Sequence, residues 1–423
     1  MTVIGTVVLA ALIGEFSLRV LAETLNLKAA RAEVPPGFRD AYDPQRYACA
    51  RDYLRARTRL GWGSGAFFLT LTVAFWLGGG FRYLDERVRA IDLGPVPTGL
   101  LYIGVILLAR SLLAVPFRAW AVFVIEERFG FNRTRLKTFA ADGLKALLLS
   151  ALLGGPLLAG VLALFEYAGA FAWGYCWALA ALFMFGTQVF APRWILPLFN
   201  TFSPLSEGEL RSAIFDYARS IRFPLENVFV MDGSRRSTKS NAFFTGFGKH
   251  RRIALFDTLI EAHTIPELIA VLAHETGHYQ KRHVQKRLAF SLIHTGVLLF
   301  IFSLLIRQPI FYETFLVQRP SVHVGLVLFA VLLPPFELLA GMLINRWSRA
   351  HELEADRFAV ETTGAGRELV NALKRLSADN LANISPHPLY VALNYSHPPL
   401  RERIRAIEAI PCTPHRKCMD RTS

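Results

Sequence analysis

Charge is what this chain has least of. Only 19% of its 423 residues are charged, 53% are hydrophobic and the mean hydropathy is positive, which excludes a disordered chain and argues against an ordinary soluble enzyme. Acidic residues are the scarcer sign, 33 against 47 Lys and Arg, and the formal net charge is +14. That excess does not mark a nucleic-acid binder, because the basic residues fall between apolar runs and not along a helix with interleaved aromatics. Anionic lipid headgroups account for it better. Cysteine is nearly absent: Cys49, Cys176, Cys412 and Cys418 are far apart and form no CxxC pair, so thiolate metal binding and dithiol chemistry are excluded and no role is assigned to them. The opening Met1-Thr2-Val3-Ile4 has no basic n-region or small-residue cleavage site, so the first apolar segment is expected to stay as an anchor.

What the chain does have is seven apolar runs long enough to cross a hydrocarbon core, which takes about 20 helical residues. They lie at roughly 3–25, 60–81, 99–125, 144–165, 171–197, 288–306 and 322–344. Basic residues set the orientation. The segment 26–59 carries Lys28, Arg31, Arg39, Arg46, Arg51, Arg55, Arg57 and Arg59, and that between the third and fourth runs carries Arg128, Arg133, Arg135, Lys137 and Lys145. The intervening loops are poor in Lys and Arg, which predicts an external N-terminus and a cytoplasmic C-terminus. The fold class that follows is mainly α, a polytopic membrane protein. Residues 1–197 hold five transmembrane helices, 198–287 and 345–423 form two halves of one cytoplasmic domain, and 288–344 make a hairpin between them. That hairpin returns the chain to its starting face, so residues just before 288 and just after 344 can meet. Four charges inside the runs, Glu15, Arg110, Arg118 and Glu337, must pair or meet water.

Residues 271–283 read VLAHETGHYQKRH. His274 and His278 are four apart, about 40° around a helix, so both imidazoles can grip one metal ion. Glu275 between them suits a general base and not a ligand. The bland alternative is an exposed i, i+4 His pair on a solvated helix. A hydrolytic zinc site needs a third protein ligand and an open position for water. Past the hairpin, NRWSRAHELEADRFAV (345–360) offers Glu352, with Asp356 one turn later on the same face to accept the outer N–H of a ligand histidine. His351 and Glu354 compete by residue type but point away from that face. Around 227–257, NVFVMD, NAFFTGFG and RIALFD predict a small sheet beside the zinc helix, either purely structural or offering an edge strand to substrate.

These motifs resemble the type I CAAX prenyl proteases, integral-membrane zinc metallopeptidases. The likeness runs through EERFGFN (126–132), LPLFNTFSPL (196–205), STKSNAFFTGFGKHRRIALFDTLI (237–260), HETGH, SRAHELEAD (348–356) and NYSHPPLRERI (394–404). It implies ligands His274, His278 and Glu352 for one zinc ion per chain, the base Glu275 and an outer acid Asp356. It further implies an oxyanion-steadying His397 and a cleft-lining Asn241. His397, before two prolines, could otherwise simply close a turn. The resemblance also implies a hollow barrel of seven helices with the zinc domain at its cytosolic end.

The expected function is zinc-dependent peptide-bond hydrolysis at the membrane, acting on prenylated C-a-a-X peptides or on membrane-associated or misfolded proteins. The partners are then peptide or protein substrate, with or without a prenyl group, and membrane lipid, with no nucleic acid. The chain ends HRKCMDRTS, without a dilysine-type retention signal, and is Arg-rich; that favours a bacterial inner membrane, with the endoplasmic reticulum as alternative. Two other readings are a heat-shock-type membrane peptidase, disfavoured by seven spans and Ser396-His397-Pro398-Pro399, and a non-catalytic zinc-containing receptor or transporter, which should lack Glu275 or add a fourth ligand.

Overall fold

The structure is a computed structural model that describes residues 2–30, 33–245 and 252–411. Cys412, Cys418 and the centre of the 237–260 motif lie outside the described residues. The helices are α1 (Val3–Ala29), α2 (Pro44–Leu77), α3 (Gly80–Arg89), α4 (Pro95–Trp120), α5 (Leu136–Leu149), α6 (Gly155–Tyr167), α7 (Ala172–Phe190), α8 (Leu196–Phe199) and α9 (Glu209–Ser220). After them come α10 (Asp257–Ala262), α11 (Ile265–Gln280), α12 (His283–Leu305), α13 (Pro309–Thr314), α14 (Val322–Thr363), α15 (Gly366–Asp379), α16 (Pro388–Asn394) and α17 (Leu400–Glu408).

Seven helical stretches are long and apolar enough to span a membrane, each over one of the predicted runs: Val3–Ala29, Pro44–Leu77, Pro95–Glu126, Leu136–Tyr167, Gly169–Phe199, His283–Leu305 and Val322–Thr363. Three contain π-helical turns, at Ala121–Glu126, Ser150–Gly154 and Ala191–Ile195. Only 6–17% of each span's most apolar window is buried. Most of each span's apolar surface is therefore left uncovered by the rest of the protein. The second span is shifted from its predicted place. It stops at Leu77 where Gly79 adopts φ +70°, and it begins at Pro44, so much of the basic segment is helix and not loop.

The charges inside the spans find partners. Glu15 pairs with Arg19, Glu337 Oε1 lies 3.2 Å from His294 Nε2, Arg110 sits over the Phe68 ring at 4.9 Å, and Arg118 donates to the Ser111 carbonyl.

Beside the spans the chain forms a sheet of four strands: β1 (Phe202–Pro204), β2 (Asn227–Met231), β3 (Ala242–Thr245) and β4 (Arg252–Phe256), in the order β1-β2-β4-β3. β2 and β4 run parallel and the two outer pairs antiparallel. Its core joins Ile214, Val228, Ile253, Leu255, Leu268, Leu272, Leu369 and Ile404 to Phe38, Tyr42 and Tyr47, so the N-terminal region also builds the water-facing part. A second core around Trp76, Phe81, Tyr102, Phe311, Tyr312, Phe315 and Val324 gathers residues from α2, α3, α4, α13 and α14.

Candidate active site

Helix α11 carries the HETGH run. Its start is fixed locally: Pro266 occupies the first turn, where its missing N–H costs nothing, and Glu267 Oε2 accepts the Thr264 N–H at 2.9 Å. Leu268, Ala270, Leu272 and Ala273 bury its inner face. Gly277 lets it lie against α14, because a Cβ there would stand 3.0 Å from the Cα of Ala355 and 3.1 Å from its carbonyl oxygen. The crossing brings together side chains from positions 74 to 82 residues apart.

His274, His278 and Glu352 each offer a ligand atom, all within 4.8 Å of one another. His274 Nε2 faces His278 Nε2 at 3.2 Å, and Glu352 lies 3.5 Å from the first ring through Oε2 and 3.3 Å from the second through Oε1. Glu352 is 2% exposed, and its Oε2 is buried without a hydrogen-bond donor. His397 Nδ1 comes within 2.8 Å of that oxygen. Two converging imidazole nitrogens and an orphaned carboxylate oxygen are a donor set that a divalent cation completes.

The outer arrangement agrees with that reading. His274 Nδ1 lies 2.8 Å from Asp356 Oδ1, placed to give its proton to that carboxylate, which would leave Nε2 bare toward Glu352. Burial disfavours a charged His274, but the carboxylates of Asp356 and Glu352 beside it outweigh this and push its pKa up to about 9. Asp356 is gripped in turn by Arg403, whose Nε and Nη2 donate at 2.8 and 2.6 Å. Burial would lower the Arg403 pKa, but the facing carboxylate raises it. Glu275 is half-buried beside His274.

Of the residues read from sequence, His274, His278, Glu352, Asp356 and His397 thus converge, the last from an exposed loop. Asn241 is elsewhere in its bonding: it precedes β3, its side-chain oxygen accepts the Ala242 N–H, and its carbonyl accepts the Phe256 N–H from β4. β3 itself packs against α11. The two competitors to Glu352 have other work, since Glu354 Oε2 meets His283 Nε2 at 3.0 Å and the His351 ring stacks on that of His283. Sequence reasoning missed Arg403 and His283. Both sit inside motifs already singled out, but nothing in their spacing announces a partner. It also missed a ladder on α14, in which Asn345 donates to the Leu393 carbonyl and Arg349 to those of Val391 and Tyr395, fixing the segment that leads to His397.

Residues 23–201 match the family described as CAAX prenyl protease N-terminal, five membrane helices, and residues 204–411 match Peptidase family M48. The chain is similar to CAAX prenyl protease 1 of Saccharomyces cerevisiae, 32% identical with 90% of each chain covered. It is 38% identical to the CAAX prenyl protease 1 homolog of Arabidopsis thaliana, over 70% of this chain and 69% of that one. The homolog from Homo sapiens is 28% identical with 89% of each covered. Among solved structures, the crystal structure of S. mikatae Ste24p superposes with a TM-score of 0.89 at 31% identity, covering 96% of this chain and 99% of that chain.

Proposed function

The chain belongs to the type I CAAX prenyl protease family, multi-pass membrane metallopeptidases of family M48, and from that membership we propose a zinc endopeptidase that cleaves prenylated C-a-a-X peptides. The observation that carries the proposal is the convergence of His274, His278 and Glu352 around one point, with the buried Glu352 Oε2 left for a cation. The donor set has three members among the described residues, which favours an open position over a closed structural site.

A zinc ion held by His274, His278 and Glu352 would supply Lewis acidity at that point. The protein does the rest. His274 and His278 hold through Nε2, and Asp356 keeps the His274 proton on Nδ1 while Arg403 holds Asp356. Glu275 takes the proton of the attacking water and passes it to the departing amine. His397, carried on the loop that Arg349 clamps, turns from Glu352 to donate to the developing oxyanion. Asn241, at the edge strand β3, lines the cleft, and a peptide laid along that edge would pair through its backbone whatever its side chains. In keeping with the basic segments, the site faces the cytoplasm. Lipid contributes by presenting the anchored substrate within the plane of the bilayer.

The test compares wild type with Glu275→Gln, purified in detergent, on a library of farnesylated C-a-a-X peptides and their unprenylated twins, read by mass spectrometry. Cleavage confined to wild type and to farnesylated members is expected, with zinc content unchanged in the variant. Cleavage of both peptide kinds would replace the substrate class with general membrane-associated peptides, and a variant as fast as wild type would sink the mechanism.

A further inference from the structure

His278 has a partner that neither its motif nor the ligand set assigns. Helix α11 ends at Gln280, and Arg282 adopts a left-handed φ of +57°, so that α12 starts at once in a new direction. On a continuous helix His283 would lie about 140° away from His278. The left-handed turn folds it back instead, and the two Nδ1 atoms stand 3.0 Å apart. A non-glycine residue in that conformation carries strain of about 1 kcal/mol or more, which collects where the surroundings demand it.

The protons on this contact can be assigned from chemistry. His278 Nε2 faces His274 and Glu352 and must be bare to bind a metal. Its proton is then on Nδ1, and His283 Nδ1 can only accept it. The His283 proton is therefore on Nε2, where Glu354 Oε2 accepts at 3.0 Å. His283 is 1% exposed, and its ring is fixed by the His351 ring stacked 4.0 Å away at an interplanar angle of 9°, itself packed on Trp347. Each link admits one tautomer.

We propose that His283, braced by Glu354, is the positioning residue for ligand His278, as Asp356 is for His274. The inference rests on the zinc site proposed above and adds to it how the second ligand is held. Both ligand rings then end on a carboxylate, one directly and the other through an intervening neutral imidazole. The relay fixes the ring without setting a further carboxylate directly beside it.

The experiment uses the full chain in detergent, stripped of metal, with zinc affinity read by competition against a chromophoric chelator and with the visible spectrum of the cobalt(II) form. His283→Leu should bind zinc about 10–100-fold more weakly and shift the cobalt bands, whereas His283→Asn, whose Oδ1 can accept in place of Nδ1, should stay within about 3-fold of wild type. Glu354→Ala, at a half-exposed site, should fall between them, and adding it to His283→Leu should cause little further loss. Rescue by Asn separates positioning from packing, because a packing defect would weaken both His283 variants alike. His283→Leu that folds and binds zinc like wild type overturns the inference. Should that variant fail to fold, wild-type affinity and an unshifted cobalt spectrum in Glu354→Ala overturn it just as well. A wild-type chain that binds no zinc refutes the proposed zinc site instead.

Discussion

Arg403 shows how much of the site hangs on one contact that helix periodicity does not announce. Its guanidinium meets both oxygens of Asp356 in a nearly dry pocket and reaches within 3.8 Å of Glu352. Removing it leaves a buried carboxylate uncompensated, so Arg403→Ala should cost roughly 3–5 kcal/mol of stability, and Arg403→Lys should recover only part, since an ammonium cannot match the bidentate geometry. Thermal unfolding of the purified proteins checks this; a midpoint unmoved by Arg403→Ala would mean that water already reaches Asp356. The spacing that brings His274 and His278 together on α11, and Glu352 and Asp356 on α14, was legible in the sequence because a helix converts spacing into direction. Arg403 and His283 were not. The first meets its partner across 47 positions, and the second through a left-handed residue that resets the helical phase.

Elements were legible as lengths and poorly legible as ends. The apolar runs announced seven spans, yet α2 begins 16 residues before the predicted 60, because the amphipathic start of that helix packs Tyr47 and Ala50 into the water-facing core. Likewise the seventh span and the acidic run after it are one 42-residue helix, held by a face that buries Ser348, His351, Glu352, Ala355, Asp356 and Ala359 long after hydropathy has fallen. The strand β1 is three residues long and gave no periodic signal. At this scale the decisive contact is that of α11 with α14 at Gly277. Gly277→Ala gains helix propensity but presses a methyl group on the α14 backbone, for a net loss of about 1 kcal/mol or more. Gly341→Ala on the same α14, with nothing within 4 Å of the added carbon, serves as the control. A lower unfolding midpoint and lower zinc retention are expected in the first variant only; equal behaviour would show that the helices separate freely.

The molecule as a whole is joined at a charged seam. Lys239 Nζ, beside β3, lies 2.9 Å from Glu126 Oε2 at the end of the third span and 2.7 Å from the Tyr53 hydroxyl of α2, with the Phe131 ring beneath it. Arg236 makes a second stitch to Asp142 of α5 at 2.8 and 3.1 Å. Glu126→Gln and Lys239→Met should each destabilise the chain, and together by less than their sum, with a coupling of about 0.5–3 kcal/mol. Strict additivity in thermal unfolding would show the seam to be incidental. One further consequence lies in α14. At its far end His323 is pinned to Asp85 at 2.7 Å, and some 29 residues later, about 45 Å along the same rod, it delivers Glu352. A tilt of about one degree around that pin swings the carboxylate through nearly 1 Å unless the Pro334–Pro335 step absorbs it, and bilayer thickness is among the forces that set helix tilt. The same rod thus ties the pin at Asp85 to the carboxylate that faces the two histidines.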